Sequence, residues 1–112
     1  MKWYIEEETK ELRKALETEI LGWYKVEYKK MFGCPCYLAN GKMFVGLVTK
    51  GIIITKLDES DRIKLKRIHE ILPFNAGKKT IKKWVRLNIE ASSLKSIMPF
   101  IEKSYNRALT EK

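Results

Sequence analysis

Residues 26–56, VEYKKMFGCPCYLANGKMFVGLVTKGIIITK, constrain the fold of this chain more than any other stretch. Short apolar runs are separated by turn signals. Asn40-Gly41 and Lys50-Gly51 put glycine where a tight hairpin requires a positive φ. The pattern predicts consecutive antiparallel strands. A helical pattern precedes them and others follow, which makes the expected fold α+β. No convergent set of acids, histidines or nucleophiles is visible, and no phosphate-cradling loop, so the expectation is a protein that is not an enzyme.

At 112 residues the chain has the usual size of one domain, long enough to bury a core without staples. Its 33% charged and 45% hydrophobic residues fit a globular protein rather than a disordered one. The longest apolar run, Phe44 to Val48, is far short of the roughly 20 residues of a membrane span. The first residues lack a basic n-region and a small-residue cleavage site, so no signal peptide is expected. Two cysteines make no disulfide framework, and the expected location is the reducing cytoplasm.

Net charge is +9, and its distribution says more than its size. Residues 1–30 hold seven basic and seven acidic side chains, so all the excess lies after Met31. Between Arg62 and Arg86 nine basic residues (Arg62, Lys64, Lys66, Arg67, Lys78, Lys79, Lys82, Lys83, Arg86) face Glu70 alone. Such an excess attracts phosphate backbones or another acidic surface; it also arises as plain surface decoration.

Along the chain, an amphipathic helix is predicted over Glu6–Gly22, with Leu12, Leu16, Ile20 and Trp23 at spacings of 4, 4 and 3. Val26 and Tyr28 alternate with Glu27 and Lys29, as in a half-exposed first strand. Further strands are predicted near Cys36–Ala39, Met43–Val48 and Ile52–Lys56, with Pro35 at an edge, a strand start or a bulge. Leu57-Asp58-Glu59-Ser60-Asp61 marks a helix start. That helix should reach Leu72, with Leu65, Ile68, Ile71 and Leu72 inward, before Pro73 stops it and Asn75-Ala76-Gly77 forms a loop. Ile81–Leu87 reads as a strand with Ile81, Val85 and Leu87 on one face and Lys82, Trp84 and Arg86 on the other. A last helix carries Leu94, Met98, Ile101, Tyr105 and Ala108, with Pro99 tolerated in its first turn. The expected order is α-β-β-β-β-α-β-α: a single two-layer domain over 1–112, with an antiparallel sheet of about five strands and helices on one face.

Lys30-Met31-Phe32-Gly33, the Asn40-Gly41 turn, Phe44 and Ile52-Ile53-Ile54-Thr55-Lys56 together resemble the TfoX N-terminal domain family. Pro73-Phe74, Gly77-Lys78 with Trp84, and the closing helix Leu94–Leu109 resemble its later blocks. The similarity runs over nearly the whole chain from Thr9, and Lys30, Met31, Phe32, Gly33 and Gly41 stand at its motif positions. One departure is plain: Cys34-Pro35-Cys36 replaces the Gly-x-Gly that commonly follows Met-Phe-Gly. The resemblance implies the α+β fold of secretion chaperones, which act as homodimers, and at most a regulatory theme without an assigned reaction. A more distant similarity is to the YjbR/MmcQ-like family, often described as DNA-binding.

Three groups of residues are candidates for chemistry. Cys34 and Cys36 stand at i and i+2, so on a strand both thiols point to one face. Two thiolates could begin a zinc or copper site, but a structural zinc takes four ligands and the other good candidate, His69, sits in another element. A near-neighbour disulfide would be strained and labile. The plainer alternative is two small apolar side chains beside an edge proline, and no metal or cofactor is expected. His69 lies near the apolar face of its helix and reads as a half-buried, hydrogen-bonded imidazole rather than a catalytic base.

Lys78, Lys79, Lys82, Lys83, Trp84 and Arg86 form the candidate nucleic-acid site, since cations interleaved with an aromatic suit phosphate contact and base stacking. The alternative is Trp84 in the core under the last helix, with lysines at its rim. Tyr24, Tyr28, Phe32, Tyr37, Phe44 and Phe74 are expected mostly in the core. Trp3, Tyr4 and Ile5 could pack back on the sheet or form an exposed contact. The leading expectation for function is a small regulatory or adaptor domain acting by protein–protein contact, as a homodimer through a sheet edge or a helix face. The alternative is a nucleic-acid-binding module using the basic 62–86 segment. No membrane association is expected.

Overall fold

The computed structural model describes residues 4–31, 33–76 and 79–111. Helix α1 (Glu6–Ile20) is followed by strands β1 (Val26–Met31), β2 (Cys34–Ala39), β3 (Lys42–Val48) and β4 (Gly51–Ile54). Helix α2 (Glu59–Ile68), strands β5 (Leu72–Ala76) and β6 (Lys79–Asn88), a 3₁₀ turn (Ala91–Ser96) and helix α3 (Met98–Thr110) complete the fold. The fold is α+β, as expected. Among the described residues all strand pairs are antiparallel, in a sheet of six strands ordered β1-β2-β3-β4-β6-β5.

The core lies between one sheet face and the helices. Leu12, Leu16 and Ile20 of α1, Leu65 of α2, Leu94, and Ile101, Tyr105 and Ala108 of α3 meet Tyr37, Ala39, Val45, Leu47, Ile52, Ile54, Val85 and Leu87. Each fully buried Leu or Ile contributes about 2–3 kcal/mol. Phe44 joins them through a bulge: Tyr37 pairs with Val45 but Leu38 pairs with Met43, so Phe44 is the extra residue and faces the helices beside Val45. Its ring packs on Trp23 and Tyr105.

Local chemistry sets the element ends. Asn40 (φ 54°) and Gly41 (φ 82°) both lie at positive φ between Ala39 and Lys42, the turn whose twist matches an antiparallel pair. Asp58 caps α2 by accepting the Asp61 amide at 2.8 Å. Pro99 sits in the first turn of α3, where no helical bond is lost. Thr9 joins α1 to the β3–β4 turn, accepting the Lys50 amide at 3.0 Å while donating to the Ile5 carbonyl at 3.0 Å.

Four expectations are corrected. First, α2 ends at Ile68, which is 58% exposed, and His69 is already extended. Second, residues 72–76 form a sixth strand rather than a helix end and loop. Pro73 is tolerated there because β5 is an edge strand. Third, Pro73 pairs with Val85 and Phe74 with Ile81, so residues 82–84 form a wide bulge and the face alternation breaks. Ile81 therefore packs with Trp84, away from Val85 and Leu87. Fourth, Lys50 rather than Gly51 takes the positive φ in the β3–β4 turn. Glycine is required at 51 for a different reason, the approach of the β6 backbone.

The sheet face away from the helices carries a second apolar layer: Cys34, Cys36, Val48, Ile53 and Phe74, with Met31, Met43, Ile81 and Trp84 against them. Among the described residues, no helix is long and apolar enough to cross a membrane.

Candidate functional site

The described basic residues of the segment are divided between elements. Lys64, Lys66 and Arg67 are exposed on α2, and Lys79 and Lys83 on β6; none of the five is ion-paired with a described residue. Lys83 turns toward the end of α3, lining a cleft with Lys56, Arg107 and Glu111. Trp84 is half-buried on the helix-free face, with its ring 5.3 Å from Phe74 rather than under the last helix. Arg86 lies on that face opposite Ile53 and Leu72, and its Nε is buried without a hydrogen bond among the described residues. Lys78 lies outside the described residues, and Lys82 is placed only as part of the β6 backbone. Gly77, Phe32 and Trp3 also lie outside them.

Cys34 and Cys36 do share one face, buried at 7% and 4% exposure. Burial, with Cys34 beside it, pushes the Cys36 thiol up to about 11, and burial also raises Cys34. Thiols held protonated in an apolar layer are poor nucleophiles. Among the described residues, no three His, Cys, Asp or Glu side chains gather as metal ligands. His69 is remote from them, its Nδ1 3.1 Å from the Glu70 carbonyl oxygen. It borders an open groove of about 890 Å³ with Glu8, Glu11 and Glu90, where Lys50 pairs with Glu8 at 3.6 Å.

A polar chain ties α1 to β2. The Tyr37 hydroxyl donates to Glu17 at 2.5 Å, Arg13 bridges Glu17 and Glu6 at 3.1 Å each, and the Tyr4 hydroxyl donates to Glu6. Burial and the Glu17 carboxylate hold the Tyr37 phenol well above its ordinary range. The Arg13 guanidinium also lies 5.3 Å from the Tyr28 ring centroid.

The motif residues converge on the first hairpin. Lys30 is exposed and Met31 half-buried at the end of β1, Gly33 turns at φ 77°, and Gly41 occupies the next turn. They lie on or near an exposed edge of the sheet. Strand β1 is an edge strand whose Glu27, Tyr28, Lys29 and Lys30 are all exposed. Tyr24 at 70%, Tyr28 at 45% and Leu21 at 45% exposure stand on or just before it, against the expectation that both tyrosines belong to the core.

The alternation of an antiparallel ladder fixes which backbone groups point outward. The Asn40 amide donates to the Lys25 carbonyl at 3.2 Å, so Lys25, Glu27, Lys29 and Met31 turn their amides and carbonyls to β2. Val26, Tyr28 and Lys30 turn theirs to the open side. The Val26 amide is taken by the Trp23 carbonyl at 3.2 Å; the Tyr28 and Lys30 groups have no partner strand. This parity also accounts for Pro35, which opposes Lys30 where β2 needs no amide toward β1. Sequence periodicity identifies β1 as half-exposed but carries no signal for its place at the rim, because strand order depends on long-range pairing. The chain matches no family model, no curated protein and no solved structure.

Proposed function

We propose that this chain is a small non-enzymatic regulatory or adaptor domain of the TfoX N-terminal type, acting in the cytoplasm by protein–protein contact at the open edge of β1. One observation carries the reading: the two sheet edges are treated differently. Strand β5 bears Pro73, a common way of blunting an edge, whereas β1 contains no proline and presents the outward amides of Tyr28 and Lys30 beside exposed Leu21, Tyr24 and Tyr28. An extended segment added there gains ladder hydrogen bonds for affinity and aromatic contacts for specificity. The cytoplasmic placement draws on the sequence, whose two cysteines make no disulfide framework.

The test is a photo-reactive phenylalanine placed at Tyr24, at Tyr28 and, as a control, at the exposed Lys95. One defined protein should crosslink from the first two positions and not from the third. Tyr28→Ala removes the ring, with its Arg13 and Tyr37 contacts, and keeps the outward amide, whereas Tyr28→Pro removes both. The proline should abolish the product formed from position 24 beyond any loss in the alanine variant. Equal crosslinking from Lys95, or indifference to Tyr28→Pro, sinks the reading.

A second reading, a nucleic-acid module on the basic 62–86 segment, draws on Lys64, Lys66, Arg67, Lys79 and Lys83, all exposed and none ion-paired with a described residue. The half-buried Trp84, stacked on Phe74, weighs against base stacking as part of it.

A further inference from the structure

We infer that the partner taken by the β1 edge is a second copy of this chain, joined in antiparallel register about a two-fold axis at Tyr28. The inference rests on the reading of β1 as a contact edge and adds the occupant and the register. Outward backbone groups belong to Val26, Tyr28 and Lys30, so an axis through Tyr28 sets each Tyr28 opposite Tyr28 of the second copy in a hydrogen-bonded pair. The two tyrosines exchange amide-to-carbonyl bonds. Each Lys30 amide then reaches the Val26 carbonyl of the other copy. The one outward amide this pairing leaves unused is that of Val26, which Trp23 already takes.

Charge selects the same register. With the axis at Tyr28, Glu27 stands opposite Lys29 of the second copy, and the symmetry repeats the pair. Both fall at non-hydrogen-bonded positions, where side chains across an antiparallel pair approach most closely. Moving the axis by one residue toward either end opposes Glu27 to Glu27 or Lys29 to Lys29. Moving it to Lys30 opposes two Lys30 side chains. Glu27 is the sole acid between Lys25 and Lys42, and this register gives the Glu27 of each copy the Lys29 of the other. Edge lysines ordinarily repel a stray strand; here they penalise the adjacent registers. An axis at Val26, which would oppose Glu27 to Lys25, is disfavoured by the Val26 amide already given to Trp23 and by Lys25 at φ 60°. The pairing would join the two sheets into one continuous sheet.

Sedimentation velocity at near-physiological salt, where repulsion between the two basic copies is screened within about 8 Å, tests this directly. Wild-type chain should show concentration-dependent dimerisation. Glu27→Lys alone and Lys29→Glu alone each turn both cross-strand pairs repulsive and should weaken the dimer about tenfold or more. Mixing the two single variants should restore a dimer, now mixed, and the double exchange within one chain should restore self-association. All these side chains are exposed, so the fold is not at stake, and circular dichroism of each variant confirms that.

A wild type that stays monomeric while Tyr28 still crosslinks to another protein overturns this inference and leaves the edge reading standing. A dimer indifferent to the single and exchanged variants overturns the register. A dimer and crosslinks that both survive Tyr28→Pro overturn the edge reading itself.

Discussion

A β-carbon placed on Gly51 would stand 2.3 Å from the carbonyl oxygen of Leu87 on the neighbouring strand β6. The obstacle is backbone, which cannot swing aside like a flexible side chain. Gly51 is also where β4 begins to pair with both β3 and β6. Gly51→Ala should therefore destabilise the chain by about 2–3 kcal/mol, the cost of overpacking a site that cannot relax. Its φ is not in the left-handed region, so the penalty is steric rather than conformational. Urea unfolding would show a lowered midpoint with an unchanged slope; a midpoint equal to wild type would mean that β6 moves freely.

Ser104 fastens α3 to the end of the first hairpins. Its buried hydroxyl donates to the Phe44 carbonyl at 2.7 Å and accepts the Lys56 amide at 3.0 Å. The Phe44 carbonyl keeps a second donor, the Thr55 amide at 3.3 Å, but the Lys56 amide would lose its partner. Ser104→Ala should cost about 1–3 kcal/mol, the range for orphaning a part-buried amide. Hydrogen exchange at Lys56 should accelerate in the variant. An unchanged melting curve with unchanged exchange would show that water replaces the hydroxyl at no cost.

Tyr37 predicts an alkaline limit to stability. Its phenol is raised by burial first and by the hydrogen bond to Glu17 next. Because the folded value lies above the unfolded value of about 10, this contribution is fully present below that pH. It is lost as pH rises beyond it, where the unfolded chain ionises and the folded one does not. Stability measured by denaturant should fall on this limb, and Tyr37→Phe should flatten it. In phenolate absorbance, Tyr37 should ionise only as the chain unfolds; early ionisation in the native state would contradict the burial argument.

Much of this architecture could be read from local chemistry, and the parts that could not share one cause. The Asn40-Gly41 turn, the helix start at Asp58, the tolerated Pro99 and the inward Leu12-Leu16-Ile20 stripe each follow from a few adjacent residues. Strand β5 was hidden because Leu72-Pro73 and Asn75-Ala76 carry the punctuation of a loop, and only pairing with β6 makes them a strand. The bulges at Phe44 and at residues 82–84 shift side chains between faces without any local mark, which is why Ile81 and Trp84 end on one side. The exposure of Tyr24 and Tyr28 depends likewise on β1 being the rim of the sheet.

The basic surface allows one further prediction. Lys64, Lys66 and Arg67 lie on α2, while Lys79 and Lys83 lie on β6, and Trp84 is half-buried against Phe74. Cations on separate elements, with no stacking platform beside them among the described residues, favour loose phosphate contact over a built site. Fluorescence anisotropy with labelled duplex and single strands should therefore show binding at low salt that fades near physiological salt, with a log–log slope of about −0.9 for each duplex phosphate neutralised. Lys64→Glu with Arg67→Glu should weaken it about as much as Lys79→Glu with Lys83→Glu, as expected of independent charges. Binding that persists at physiological salt, prefers single strands and collapses only in the β6 variant would instead assign a nucleic-acid site to that strand. The second functional reading would then displace the first.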